Sequence, residues 1–235
     1  MIISEKKHLI NRFAKKNMKN IPRIFVGNNV QTGMTIPMSR ETAHYLTRVM
    51  RTKTAIVFGD GLEFYANIDE VGKNIIVGKN TGRADPSNDI TLYFAPIKRT
   101  DDLINMATQM GIKKLVPVIT EHTVAQHINW ERMKKIAIES SEQSNRNSVP
   151  EIAAPIKFGD LDLSNLTFAD ERSAYNDDNK PKTTKTNSIL VGPEGGFSDS
   201  EFAAMDAAGA VGITLGKTIL RAELAAVIAI AKITK

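Results

Sequence analysis

Apolar positions fall into two textures along the chain. Between residues 21 and 80 they come in short runs broken by turn residues. Residues 22–26 and 55–58 read as strands, residues 62–68 alternate roughly between apolar and polar, and residues 74–79 close the set. Gly59-Asp60-Gly61 lies between two of these runs and signals a hairpin. Residues 39–51 differ. Thr42, Tyr45/Leu46 and Val49/Met50 recur at helical spacing behind Ser39, a good N-cap. Short strands, one helix and glycine turns predict a small β-barrel or sandwich.

Residues 80–89 hold Gly, Pro, Ser, Asn and Asp with no large apolar side chain, and read as a linker. Beyond it, strand and helix patterns alternate. Strands are predicted at 90–95, 115–119, 166–169, 188–191 and 211–215. A helix capped by Thr100 or Asp101 carries Leu103, Met106, Ala107 and Met110 on one face and stops at Gly111. Further helices are predicted at 130–146, 199–208 and 222–233, with a polar surface loop at 173–187. This alternation predicts an α/β domain with a mostly parallel sheet. The expected organisation is an extension over 1–17, a β-rich domain over 18–82 and an α/β domain over 88–235.

Charge changes this picture more than composition does. Residues 1–55 carry 11 Lys/Arg against 2 Asp/Glu, and the remainder 20 against 24, within a net charge of +5. A basic front end on a mildly acidic remainder points to a polyanionic partner. With 42% hydrophobic and 24% charged residues, the composition is that of a folded domain. The longest apolar run, residues 224–231, is far short of the roughly 18 residues that would suggest a membrane span. The absence of cysteine excludes disulfides, thiolate catalysis and cysteine metal sites, and fits the cytoplasm. Of four histidines, His122 and His127 are five apart, with no cysteine to complete a site, so no metal is expected.

Two glycine loops carry the candidate chemistry. In Leu190-Val191-Gly192-Pro193-Glu194-Gly195-Gly196-Phe197-Ser198 a buried strand runs straight into a glycine-rich loop, and Ser198 with Glu201 forms a capping box for the next helix. No Lys-Ser/Thr ends the loop and its spacing is not G-x-G-x-x-G, so it is neither a Walker nor a dinucleotide loop. In Leu215-Gly216-Lys217-Thr218-Ile219-Leu220-Arg221-Ala222-Glu223 a second strand meets glycine before an apolar helix. Loops at strand ends of one parallel sheet share an edge, so residues 190–197 and 215–223 are expected to face one pocket. The alternative is a pair of tight connections with no ligand. Arg221 and Glu223, beside an apolar helix, are either paired together or available for chemistry.

VGPEGGFSDSE followed about 20 residues later by LGKTILRAE resembles the 16S ribosomal RNA uridine-N3 methyltransferase family. Three further stretches resemble it in the same order: Glu142-Gln143-Ser144-Asn145-Arg146 with Pro150-Glu151-Ile152, Thr108 to Ile112, and Pro22-Arg23-Ile24-Phe25 with Val49-Met50-Arg51. The resemblance implies a SPOUT-class α/β domain with a deep trefoil knot and a small N-terminal β-barrel that binds RNA. It implies methyl transfer from S-adenosylmethionine to N3 of a uridine, on 16S RNA within the small subunit, by a homodimer with no metal. Arg221 and then Arg146 are the expected electrostatic groups, with Arg146 reaching the partner's site. Glu194 and Glu223 are the expected proton acceptors. Leu190, Gly192, Pro193, Glu194, Gly195 and Gly196 would form one cofactor wall, and Leu215, Gly216, Ile219, Leu220 and Ala222 the other.

RNA contact is expected of Arg12, Lys15, Lys16, Lys19, Arg23, Arg48, Arg51 and Lys53, with Phe25 and Tyr45 assigned to the core. Leu224 stands where the family has Thr, which removes a hydroxyl from the expected pocket. That departure leaves room for a binding factor without catalysis. A related methyltransferase with another RNA target is the nearer alternative.

Overall fold

The computed structural model describes residues 21–124, 129–174 and 186–234. The expectations for residues 1–17, for Arg12, Lys15, Lys16 and Lys19, for His127, and for most of the loop at 173–187 therefore lie outside the described residues. The chain divides into two compact units, Met1–Asp85 and Pro86–Lys235.

The first unit holds strands β1 (Arg23–Phe25), β2 (Thr35–Pro37), β3 (Thr54–Gly59), β4 (Leu62–Ile68) and β5 (Asn74–Asn80). They form one sheet in the order β1-β3-β4-β5-β2, antiparallel except for β1 on β3. Asp60 and Gly61 alone connect β3 to β4, and both adopt positive φ, 50° and 77°. That is the two-residue turn whose twist suits a hairpin. Strand β2 escapes the sequence reading because it is three residues long and ends in Pro37, which strands disfavour.

Helix α1 (Arg40–His44) begins at Ser39, whose hydroxyl accepts from the Thr42 amide at 3.0 Å. It continues as a π-helical turn, Tyr45–Val49, which places Leu46 in the core at 0% exposure. Val57, Phe64, Ala66, Ile75 and Val77 surround it. Tyr45, expected in the core, is at the surface with 40% exposure, while its neighbour Leu46 takes the buried face.

Arg23 also departs from expectation. Its side chain is 10% exposed and bonds Glu63, itself 1% exposed. Arg83 donates to both Glu63 oxygens, at 2.9 and 2.7 Å, and Thr81 adds a third partner at 2.7 Å. The Arg23 guanidinium also lies 5.0 Å from the Phe58 ring centre. A side chain engaged in this way is not offered to a phosphate. Arg48, Arg51 and Lys53 are exposed, as RNA contact requires. Burial pushes the Glu63 carboxyl up, but the bonds from Arg83, Arg23 and Thr81 overrule it and hold the pKa at about 2.

The second unit is built on parallel strands. These are β6 (Thr91–Phe94), β7 (Lys114–Ile119), β8 (Glu151–Ile152), β9 (Ile156–Lys157), β10 (Thr167–Ala169), β11 (Ser188–Val191) and β12 (Val211–Ile213). The order is β12-β10-β11-β6-β7-β8, with β9 also on β7. The helices are α2 (Thr100–Gln109), α3 (Trp130–Gln143), α4 (Asp199–Ala207) and α5 (Ala222–Ile233).

One sheet face carries Leu92, Phe94, Ile189 and Val191 against Leu103, Ile104, Met133 and Ala137 of α2 and α3 and Ala226, Ala229 and Ile230 of α5. The other carries Phe168 and Leu190 against Phe197, Phe202 and Met205. With apolar cover on both faces, β6 and β11 read as unbroken hydrophobic runs rather than alternating ones. Thr100 opens α2 but does not cap it from the N-cap position, which Arg99 occupies. The Thr100 hydroxyl instead accepts from the Ile97 amide at 2.9 Å.

Glu63→Gln is expected to lower unfolding stability at pH 7 by about 2–3 kcal/mol, measured by urea titration. The folded pKa is depressed, so the wild-type advantage is present above about pH 4.5 and is lost as pH falls towards about 2.

Candidate active site

Four neighbouring parallel strands end at one edge of the second unit, and their following segments enclose a cavity of about 430 Å³. Lys98 and Arg99 come from beyond β6, and Ala169, Asp170 and Glu171 from the end of β10 and the turn after it. Val191, Gly192, Pro193, Glu194, Gly196 and Phe197 come from β11 and its loop. Leu215, Gly216, Thr218, Ile219, Leu220 and Arg221 follow β12, with Ala222, Glu223 and Ala225 on the first turn of α5. Eleven of the residues expected from sequence thus meet here, in the crevice where open parallel sheets receive ligands.

Local geometry explains the two glycine loops. Gly196 has φ +70°, and a Cβ there would lie 2.2 Å from the Glu171 carboxylate oxygen. The positive φ favours glycine, and the exposed Glu171 carboxylate would have to move aside for any side chain there. A Cβ on Gly192 would press on the Phe197 ring at 3.1 Å. The capping box of α4 forms as its sequence predicts. Ser198 N–H donates to Glu201 Oε2 at 2.9 Å, and the Glu201 amide donates back to Ser198 Oγ at 3.3 Å.

Two of the expected cofactor residues stand behind the wall. Successive strand residues face opposite sides, so Val191 turns to the cavity while Leu190 packs among the phenylalanines on the other face. At Gly195 the position a Cβ would take is 3.3 Å from His122 Cβ, and the residue does not line the cavity.

The charged groups are arranged unevenly. Glu223 does not pair with Arg221: its carboxylate, 10% exposed, lies 3.7 Å from Arg99. Glu194 accepts from the Lys98 amide at 3.0 Å, which ties the β11 loop to the β6 loop. Arg221 takes the N-cap position of α5, is exposed, and makes no ion pair among the described residues. Asp170 is bonded by Arg172, which also bonds Asp206 and lies 4.1 Å from the Phe202 ring centre.

Arg146 is elsewhere. It is 2% exposed, and its guanidinium donates to Thr108 O at 2.9 Å and Ile112 O at 2.8 Å. It ties Thr108, in the last turn of α2, to Ile112, in the segment that leads on to β7. It therefore does not line this cavity. Leu224 is 45% exposed and is not part of the cavity wall, so the loss of the family's Thr takes nothing from the cavity lining.

Sequence reading missed Lys98, Arg99, Asp170 and Glu171. The strand-end rule that joined the two glycine loops also applies to β6 and β10. Neither turn carries the glycine signature that drew attention to the other two.

A parallel α/β sheet with a cavity at its carboxyl edge is a frame for binding a small molecule. A family model described as "RNA methyltransferase domain" matches residues 84–234. Ribosomal RNA small subunit methyltransferase E of Rickettsia conorii is 33% identical over 90% of this chain and 94% of its own. The protein of that name from Mesomycoplasma hyopneumoniae is 32% identical over 74% and 82%. The crystal structure of the Neisseria gonorrhoeae protein of that name, bound to S-adenosyl methionine, is 26% identical over 90% of this chain and 95% of its own, with a TM-score of 0.76. The chain belongs to the family of ribosomal RNA small subunit methyltransferase E proteins.

Arg146→Ala is expected to cost about 3 kcal/mol in urea titration, from the two lost buried hydrogen bonds and the lost buried side chain. Cofactor affinity measured well below the unfolding midpoint should stay unchanged.

Proposed function

We propose that the chain methylates N3 of a uridine in 16S ribosomal RNA of the small subunit, with S-adenosylmethionine as methyl donor. The observation that carries this reading is the cavity at the ends of β12, β10, β11 and β6. Its residues suit that molecule. About 430 Å³ lies within the usual range for small-ligand sites. Val191, Leu215, Leu220, Ala222 and Ala225 offer apolar surface for an adenine, and the backbone of the two glycine loops offers donors and acceptors. Glu171 and Glu194 are the exposed carboxylates of the wall and can meet a cationic ligand, whereas Asp170 is held by Arg172 and Glu223 lies beside Arg99.

When bound, S-adenosylmethionine supplies a methyl group on a sulfonium centre. The protein must orient the uracil and manage one proton. N3 of uracil is a poor nucleophile while protonated, so the proton must leave before or during attack. Arg221, exposed at the cavity and without an ion-pair partner among the described residues, stabilises charge developing on a uracil carbonyl oxygen. Glu194 is the exposed carboxylate and the better placed to pass a proton to water, whereas Glu223 is held beside Arg99. Exposed Arg48, Arg51 and Lys53 on the first unit supply phosphate contacts that give affinity without sequence information.

The knot, the closed N-terminal barrel and the homodimer belong to the same reading. In support of the knot, the chain passes from β11 beyond β10 to β12, and α5 then packs on β11, β6 and α2. In support of a second copy, Ile219 and Leu224 leave apolar surface exposed on and beside the cavity wall.

Calorimetry on the wild type should give micromolar S-adenosylmethionine binding, and Thr218→Trp, which places a large ring at the cavity wall, should weaken it by about tenfold or more. Arg221→Ala should leave that affinity within about threefold and lower kcat on small-subunit particles by about 100-fold. Nucleoside mass spectrometry of the RNA should show 3-methyluridine. A different methylated nucleoside would favour the alternative RNA target.

A further inference from the structure

The turn after β7 reaches across to the glycine loop of β11. His122 Nδ1 lies 3.2 Å from both Gly195 O and Gly196 O. Both carbonyls only accept, so that nitrogen carries the proton and donates to them. The neighbouring Glu121 amide donates to Glu201 Oε1 at 2.9 Å, while Glu201 Oε2 holds the Ser198 amide. Within the turn, the Thr123 hydroxyl accepts from the Thr120 amide at 2.9 Å and bonds its hydroxyl at 2.8 Å. Residues 120–123 thus hold the glycine loop at its middle, at the carbonyls of Gly195 and Gly196, and at its far end, through the capping box of α4. None of them lines the cavity.

We infer that His122 is a positioning residue that fixes the glycine loop in its ligand-binding shape from outside the cavity. The inference rests on the proposed function for what the loop binds, but not for the bond itself. Glycine at 195 is part of the device, because a Cβ there would stand 3.3 Å from His122 Cβ and push the two segments apart. Without the imidazole the loop keeps its internal bond, Gly196 N–H to Pro193 O at 3.0 Å, but loses the tie to β7. A loop of glycines with few other constraints samples many shapes, and a ligand that needs one of them binds more weakly.

The test compares His122→Ala, His122→Asn and His122→Gln. The Asn amide nitrogen is one bond from Cγ, where the histidine places Nδ1, whereas the Gln amide is displaced by one carbon. In the ligand-free protein, amide exchange at Gly196 followed by NMR should quicken about tenfold in the Ala and Gln variants and return to within about threefold of wild type in Asn. The KM for S-adenosylmethionine should rise about tenfold in Ala and Gln, with kcat within about twofold of wild type and recovery in Asn. Wild-type exchange at Gly196 in His122→Ala, or equal behaviour of the Asn and Gln variants, would overturn the inference. A wild-type protein that binds no S-adenosylmethionine would instead sink the proposed function, and the exchange rates would still judge His122.

Discussion

Parallel strands put all their carboxyl ends on one edge, and in the second unit that single constraint assembles the site. The segments that build the cavity begin at residues 95, 170, 192 and 214, scattered over half the chain. They meet because β6, β10, β11 and β12 are neighbours in register, with Phe94 beside Val191 and Phe168 beside Leu190 and Gly212. Helices on both faces keep the sheet dry, and α5 brings Ala222, Glu223 and Ala225 to the wall from its first turn. Side chains then act as local modifiers of a geometry the backbone has already set.

Much of this was legible in the sequence, because its signals are local. Ser39 and Ser198 announce their helices through the hydrogen bonds they make three residues on. Asp60-Gly61 dictates its hairpin because few other residues accept positive φ at both positions. The resemblance named the two loops, and the cavity unites them. Short strands were less legible. β8 and β9 are two residues each, and pairing with β7 rather than propensity defines them.

The misreadings share one physical cause. A charged residue in a sequence looks the same whether it meets water or is enclosed by partners. Arg23 and Arg146 lie in stretches that resemble the family's, yet one is locked to Glu63 and the other closes the end of α2. The partners that decide this, 40 and 38 residues away, are brought near only by tertiary structure. Tyr45 fails for a related reason: helical spacing makes Tyr45 and Leu46 equal candidates for the buried face, and the packing of the first unit takes Leu46.

The alternation along β11 has an evolutionary corollary. Leu190 and Val191 serve two different compartments, an aromatic cluster and a cavity wall, separated by the thickness of one strand. Exchanging either for another apolar side chain alters one compartment modestly. Removing a single residue upstream in the strand would swap their destinations and deliver every later position to the wrong side. Descent within this family should therefore tolerate drift in the identities of these apolar residues far better than any change in strand length. Insertions and deletions should be confined to the connections between strands.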